Sequence, residues 1–418
     1  MSKFKTLLKN LGPGLLFASM AIGTSHLVLS TKAGAQFGWF MIIPILLANV
    51  LKYPFFEFGI RYTNVTGKSI IEGYNRRGKG YLWLYAFITF ATSIATPAAL
   101  CAVTAGLFIN LFGIQGVALF PVAFGLFALN SIILIIGKYK VLETSLKFLI
   151  PILFIALLVT TVLVINAGPI NPIQNFEAPK IFDQTGVLFL ITLIGWMPTA
   201  VEASSWLSLW SVEKYKVDSN KPSLKEALQE FNTGYILTAI LAIFFLVIGC
   251  MTLYGSGIEL SGNAITFADQ VINLFTTHIG NWAYVFIAVS AFATMYSTCL
   301  TALDAVTRVG IDITGLIVEE HEKFTGKKYY AAGIIIISVI SIIVLYALSA
   351  NMGLILAIAT ATSFVLAPIV GYMNLKNVMS HDLPGADKPK KGLQLLTYFG
   401  IIFLSLLAIY YGWMLLFK

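Results

Sequence analysis

Charge is what this sequence has least of. Asp, Glu, Lys and Arg make up 11% of its 418 residues, against about a quarter in an ordinary soluble domain. A water-exposed globular surface over most of the chain is therefore excluded. Cysteine is scarce too: Cys101, Cys250 and Cys299 all fall inside apolar runs with no metal-type spacing and read as small buried thiols. A nucleotide-binding motif is missing. Thr66-Gly67-Lys68-Ser69 imitates the end of a phosphate loop, but Tyr62 stands where its upstream glycine belongs and no strand pattern precedes it. There is no soluble domain and no linker longer than about 25 residues.

What remains is apolar: 58% of the residues are hydrophobic. Runs long enough to cross a bilayer recur along the chain, near 12–32, 38–61, 82–112, 117–136, 145–166, 186–211, 232–254, 282–306, 330–349, 353–375 and 394–416. That gives eleven expected spans. The first opens on Gly12-Pro13-Gly14 without a small-residue cleavage site, so it is expected to be retained rather than cleaved as a signal.

The net charge of +8 is distributed by side. Of the 27 Lys and Arg, all but Lys32, Lys52, Lys180 and Lys418 lie in the N-terminal segment or about the loops that follow even-numbered spans. The positive-inside rule then puts the N-terminus in the cytoplasm and the C-terminus outside. Nucleic acid is not expected as a partner; the lipid bilayer is. The sequon Asn64-Val65-Thr66 falls on the cytoplasmic side. In the loop at 213–231, Pro222-Ser223 starts an amphipathic helix with Leu224, Ala227, Leu228 and Phe231 on one face.

Interruptions carry the information in such a chain, because backbone groups freed within hydrocarbon must be buried in protein or line a wet cavity. Span one breaks at Gly23-Thr24-Ser25, and His26 follows at once. Span six breaks at Gly195-Trp196-Met197-Pro198-Thr199-Ala200, where Pro198 removes a helix donor. Spans one and six are equivalent if a five-helix unit is repeated upside down, as 12–166 and 186–375, with 394–416 as an extra helix of the same single domain. Matched interrupted spans point to an inverted-repeat transporter with its site at the midplane. The alternative is two ordinary kinks, since Gly and Pro are common in membrane helices.

Several stretches resemble the NRAMP family of proton-coupled divalent-metal transporters. "LGPGLLFAS" at 11–19 and "AGAQFGW" at 33–39 are similar to the two ends of its first helix. "ANVLKYPFFEFGIRYTNVTGKSIIE" at 48–72 resembles its second helix and the turn after it, and "YKVLETSLKFL" at 139–149 the start of its fifth. The resemblance implies a LeuT-like five-plus-five inverted repeat and, as cargo, a divalent ion such as manganese, iron or magnesium moved inward with protons. Three departures accompany it. The family's first-helix motif Asp-Pro-Gly-Asn is Gly23-Thr24-Ser25-His26 here. Its sixth-helix Met-Pro-His is Met197-Pro198-Thr199. Its acidic third-helix positions match Ser93 and Thr96, and no Asp or Glu occurs anywhere in 81–112.

The candidate substrate-binding residues are Gly23, Thr24, Ser25, His26, Met197, Thr199 and Glu202, with His26, Met197 and Glu202 as the possible metal ligands. His26 either binds substrate or carries a proton, or else is a hydrogen-bonded core histidine. Glu202 lines the cavity or is paired inside the bundle, and Met197 is a soft ligand or packing. Lys52, Glu57 and Asp304 are the coupling or gating candidates. Lys52 replaces a coupling cation, meets an acidic substrate, or pairs with a carboxylate. Glu57 with Arg61, and Asp304 with Arg308, are four apart and otherwise read as snorkelling surface pairs near the cytoplasmic ends. Thr199, Ser204, Ser205, Thr294, Ser297 and Thr298 line the path or act as helix–helix glue.

The expected protein is thus not an enzyme and needs no cofactor. It is a gradient-driven transporter of the inner or plasma membrane. By the resemblance it carries a divalent metal; the alternative cargo is a small organic solute such as an amino acid, because the metal motif is replaced and helix ends freed at a break attract a carboxylate as well as a cation. A channel is the weaker third class.

Overall fold

The computed structural model describes residues 12–93, 95–217, 221–348 and 351–417. Among them the chain is helical throughout, joined by turns and short loops. The first apolar run is not one helix. Helix α1 (Pro13–Ala21) ends in a turn, a π-helical segment follows at Ser25–Ser30, and α2 (Thr31–Phe37) completes the run. Gly38, at φ 70°, turns the corner into a 3-10 stretch and then α3 (Ile42–Thr66). Gly67 closes α3 with φ 72°, a conformation that a side chain resists. Ser69, the last residue of the phosphate-loop lookalike dismissed above, forms a capping box with Glu72 that starts α4 (Ile70–Arg77).

Helices α5 (Lys79–Ser93) and α6 (Thr96–Leu111) form the third run. The expected turn between spans four and five is replaced by one continuous helix, α7 (Leu119–Ala167), in which Leu119–Gly137 and Ile150–Ala167 are each long and apolar enough to cross a bilayer. The sixth run is split into α8 (Gln184–Trp196) and α9 (Ala203–Val217). The amphipathic segment begins where expected, with Ser223 and Glu226 as its capping box, but it runs on without a break into the seventh span as α10 (Leu224–Leu253). An element that the hydropathy pattern does not mark follows: α11 (Ala264–Ile279), capped by Asn263 and buried on Phe267, Ala268, Val271 and Ile272. Helices α12 (Tyr284–Ile317), α13 (His321–Phe324), α14 (Lys327–Ala347), α15 (Met352–Val378) and α16 (Lys391–Phe417) complete the chain. Eight stretches among the described residues can span a membrane by length and composition. Outward apolar side chains such as Ile136, Tyr346 and Leu416 are 76%, 75% and 78% exposed, as a lipid-facing surface requires.

Glycines set how span one lies against α10. A Cβ on Gly14 would stand 2.7 Å from the Glu230 carbonyl oxygen, and one on Gly234 would stand 2.2 Å from that of Gly14. Above the interruption, Gly34 would meet the Leu246 oxygen at 2.1 Å and Gly249 the Thr31 oxygen at 2.2 Å. Backbones this close are the usual means of helix association in lipid. Both halves of span one are therefore tied to one helix, with the interruption between the ties. Below it, Phe17 packs on Phe56 and stacks on Tyr235, with ring centroids 5.1 and 5.5 Å apart.

Replacing Gly249 by Ala forces these backbones apart. We expect a loss of about 1–3 kcal/mol, read as a lower melting temperature of the detergent-purified protein. Gly125→Ala, where an added Cβ meets nothing within 4 Å, should be neutral or slightly stabilising.

Candidate functional site

Helix α8 stops at Trp196 because Met197 is extended (φ −94°, ψ 122°) and the next residue is Pro198, reached through a cis peptide bond and lacking an N–H. The chain regains helix only after the turn at Ala200–Glu202, where Ala203 and Ser204 donate to the carbonyls of Ala200 and Val201. The break leaves the last carbonyls of α8 short of donors: Ile194 keeps only a 3.4 Å bond from the Met197 N–H, and Pro198 has none to give. Lys52 of α3 supplies them: its Nζ lies 2.5 Å from the Ile194 oxygen and 2.8 Å from that of Gly195. An ammonium at mid-membrane costs about 2.5–3.5 kcal/mol on insertion scales, and the negative end of a helix offsets part of that. Glu202 lies in the turn that follows the break. It is 3% exposed, and its Oε1 accepts from Ser363 Oγ of α15 at 2.9 Å. Ser363 Oγ in turn accepts from Trp196 Nε1 at 3.2 Å.

The interruption in span one is narrower. The Gly23 carbonyl accepts from both His26 N (3.1 Å) and Leu27 N (3.0 Å). Gly23 is needed for proximity: a Cβ there would stand 2.4 Å from Thr298 Cγ2 of α12. Ser25 Oγ reaches the Ala21 oxygen at 2.6 Å, His26 Nδ1 at 2.7 Å and the Pro198 oxygen at 3.0 Å. His26 Nε2 lies 2.9 Å from the Thr238 oxygen of α10. A carbonyl only accepts, so Nε2 carries a proton. With a neutral ring, Nδ1 is then an acceptor, and one Ser25 hydroxyl proton faces three acceptors. The Thr24 and Ser19 hydroxyls are buried without a hydrogen-bond partner. These groups leave the junction of the breaks rich in acceptors and unpaired hydroxyls.

The contact from Ser25 to the Pro198 carbonyl joins two interruptions that lie 173 residues apart in sequence. It brings Ser25, His26 and the Met197-Pro198 turn together. Met197 and Thr199 are buried within that turn. Lys52 and Glu202 make their bonds toward α8 and α15 instead. Both His26 ring nitrogens are engaged, and no group of three or more His, Cys, Asp or Glu converges among the described residues. His26 thus has no ring nitrogen free in this conformation.

The expected surface pairs are corrected. Glu57 is buried at 1% exposure, held by Arg61 Nε at 3.0 and 3.1 Å, and Arg61 Nη1 donates to the Asp387 carbonyl at 2.6 Å. Asp304 is fully buried between Arg308 Nε (2.8 Å), Trp210 Nε1 (2.9 Å) and the Tyr330 hydroxyl (2.5 Å). Both pairs brace helices internally, because neighbouring segments fold back over the ends where solvent was expected. Ser204 accepts from Asn374 Nδ2 at 2.8 Å and Ser205 from the Tyr85 hydroxyl at 2.5 Å, so both serve as helix glue. Thr298 donates to the Ser19 carbonyl at 2.7 Å, and Thr294 and Ser297 line a cavity of about 200 Å³ beside Ser19 and Ile22.

Two features escape the sequence reading. Glu230 of α10 accepts from the N–H groups of Gly12 (2.7 Å), Gly14 (2.9 Å) and Leu15 (3.3 Å), which caps the first half-helix from another element. At the basic end, Asp312 accepts from Ser69 Oγ at 2.8 Å and holds His321 Nε2 at 2.6 Å, on the wall of a 240 Å³ cavity shared with Glu72, Glu213 and Arg308. The repeat Asp304, Arg308, Asp312 at four-residue spacing was the available signal for this second cluster.

A family model described as natural resistance-associated macrophage protein-like (Nramp) matches residues 14–414. The chain belongs to the Nramp family. An uncharacterised protein of Pasteurella multocida is 33% identical over 94% of this chain and 90% of its own length. Among solved structures, a manganese transporter of Eremococcus coleocola superposes with a TM-score of 0.70 at 16% identity, covering 98% of this chain and 87% of that one. MhsT, solved in complex with L-phenylalanine, superposes at 0.63 with 13% identity over 95% and 96%. At such identities the structures establish the fold, which is the LeuT-like inverted repeat. This Nramp protein is a multi-pass membrane transporter and not an enzyme.

The basic-end cluster predicts a pH dependence. The hydrogen bond that His321 donates to the Asp312 carboxylate holds the imidazole above its ordinary 6.5, against the opposing effect of partial burial. A raised value means that the pair stabilises fully below pH 6.5 and less as the pH climbs through the raised value. The melting-temperature gap between wild type and Asp312→Asn should therefore be widest below pH 6.5 and shrink above it. A gap that widens with pH would contradict the pairing.

Proposed function

We propose that this Nramp transporter moves a divalent metal ion by alternating access around the meeting point of its two broken helices. The observation that carries the reading is the Ser25–Pro198 contact: the interruptions form one place, not two. Family membership supports the cargo. Met197 would offer a soft sulfur, and Gly23, Pro198 and their neighbours would offer carbonyl oxygens, once the junction opens. Ser25, His26, Thr24 and Thr199 line the approach. His26 and Glu202 are the titratable groups for a proton route, since Ser93 and Thr96 are neutral. Residues 12–166 and 186–375 form the two repeats and 394–416 the extra helix. The N-terminus faces the cytoplasm and the C-terminus the outside of the inner or plasma membrane.

One observation favours a second reading, in which the cargo is a small organic solute such as an amino acid. A resident ammonium, Lys52, stands at the break, while Gly23 and His26 replace the family's Asp and Asn. A zwitterion needs no carboxylate cage, and its own carboxylate suits cationic or amide donors.

Uptake of radioactive manganese into proteoliposomes under an inward proton gradient decides between them. The metal reading expects saturable uptake that falls about tenfold or more in His26→Ala and in Glu202→Gln. No uptake above empty vesicles, with thermal stabilisation by amino acids and none by manganese, would replace it with the second reading.

A further inference from the structure

Lys52 is a buried side chain whose bonding partners belong to the protein itself, whichever cargo is carried. Its placement is specific: the ammonium faces the carbonyls of Ile194 and Gly195 in the last turn of α8. Those oxygens form the negative end of a helix cut short inside the bundle; Ile194 keeps only a long bond from the Met197 N–H at 3.4 Å, and Pro198 has no N–H for a further turn. Two peptide oxygens converging at the negative end of a helix make a position that attracts a free monovalent cation, as broken helices in transporters do. Here the protein fills it from its own chain. The side chain that does so is entirely shielded from solvent.

We infer that Lys52 is a tethered cation, whose ammonium takes the place that a sodium or potassium ion would otherwise occupy at the end of α8. A tethered charge cannot enter on one side and leave on the other. It gives the break its electrostatic partner throughout the cycle, while a sodium or potassium gradient supplies no driving force through this position. The inference concerns the site's fixed charge and does not rest on the identity of the cargo.

The test reads ions rather than uptake. Full-length protein in detergent is melted in choline, sodium and potassium chloride at constant ionic strength. Wild type should melt within about 1 °C in all three. Lys52→Ala, which leaves room for an ion, should melt lower in choline and rise by about 2 °C or more, saturably, with sodium or potassium. Lys52→Met, which removes the charge but fills the space, should not regain the difference. An indifferent Lys52→Ala overturns the inference, as does a saturable response in wild type or an equal one in Lys52→Met. If Lys52→Ala is not recovered folded, Lys52→Ser takes its place. Failure of both to be recovered with sodium and potassium present throughout purification also overturns it, because a free ion should then have restored the missing charge.

Discussion

A peptide group without a partner is the costliest thing a membrane helix can contain, and the structure is arranged around two places where that cost arises. At the end of α8 the Ile194 carbonyl keeps only a long bond from the Met197 N–H, Pro198 has no N–H to add, and the Lys52 ammonium reaches both the Ile194 and Gly195 oxygens. In span one the Gly23 carbonyl takes two amides at once, and Ser25 Oγ reaches to the carbonyl of Pro198 in the other break. The repairs at Ile194, Gly195 and Pro198 use side chains from other elements. The interruptions are therefore tolerated only within the assembled bundle, and the bundle is held partly by the repairs.

The same constraint explains why span one lies where it does. Its lower half is capped by Glu230 and packed at Gly14 on Gly234; its upper half crosses at Gly34 and Gly249. Both ties are to α10, and His26 adds a third bond to that helix between them, at the Thr238 carbonyl. Span one can be weakened in its middle because its neighbour holds it at both ends. The cost of the glycines and of the Ser-rich turn is local, whereas the close backbone approach acts along the whole length.

The breaks were legible in the sequence because Gly, Pro and hydroxyl residues announce themselves, and the overall architecture followed from their matched positions. The partners were not. Nothing near His26 in the chain points to Thr238, 212 residues away, and nothing near Lys52 names the Ile194 carbonyl. Glu57 and Asp304 read as surface pairs since a four-residue spacing looks the same whether lipid, water or protein covers it. The segments that bury them come from Asp387 and Tyr330, far along the chain. Hydropathy missed α11 for the opposite reason: one face of that short amphipathic helix is polar, so its average hides the buried stripe of Phe267, Val271 and Ile272.

Charge balance constrains the cargo further. Lys52 and Glu202 are the ionisable side chains beside the sixth-span break, and the recorded partners of Ser25 and His26 include no carboxylate. When both side chains are ionised, the fixed charges sum to nothing. A dication entering such a site finds dipoles and a sulfur but no net counter-charge, and hard or borderline ions need that compensation in a dry interior. With Lys52 kept as a cation, compensation has to come from a proton leaving another group of the site, such as a protonated Glu202, as the ion arrives. Metal binding here would therefore be coupled to proton release by electrostatics alone, without the third-span acids. A zwitterion meets a neutral site and requires no such exchange. The residue that separates the two cargoes is thus the lysine, because its retained positive charge makes the difference between a compensated ion and an expelled one.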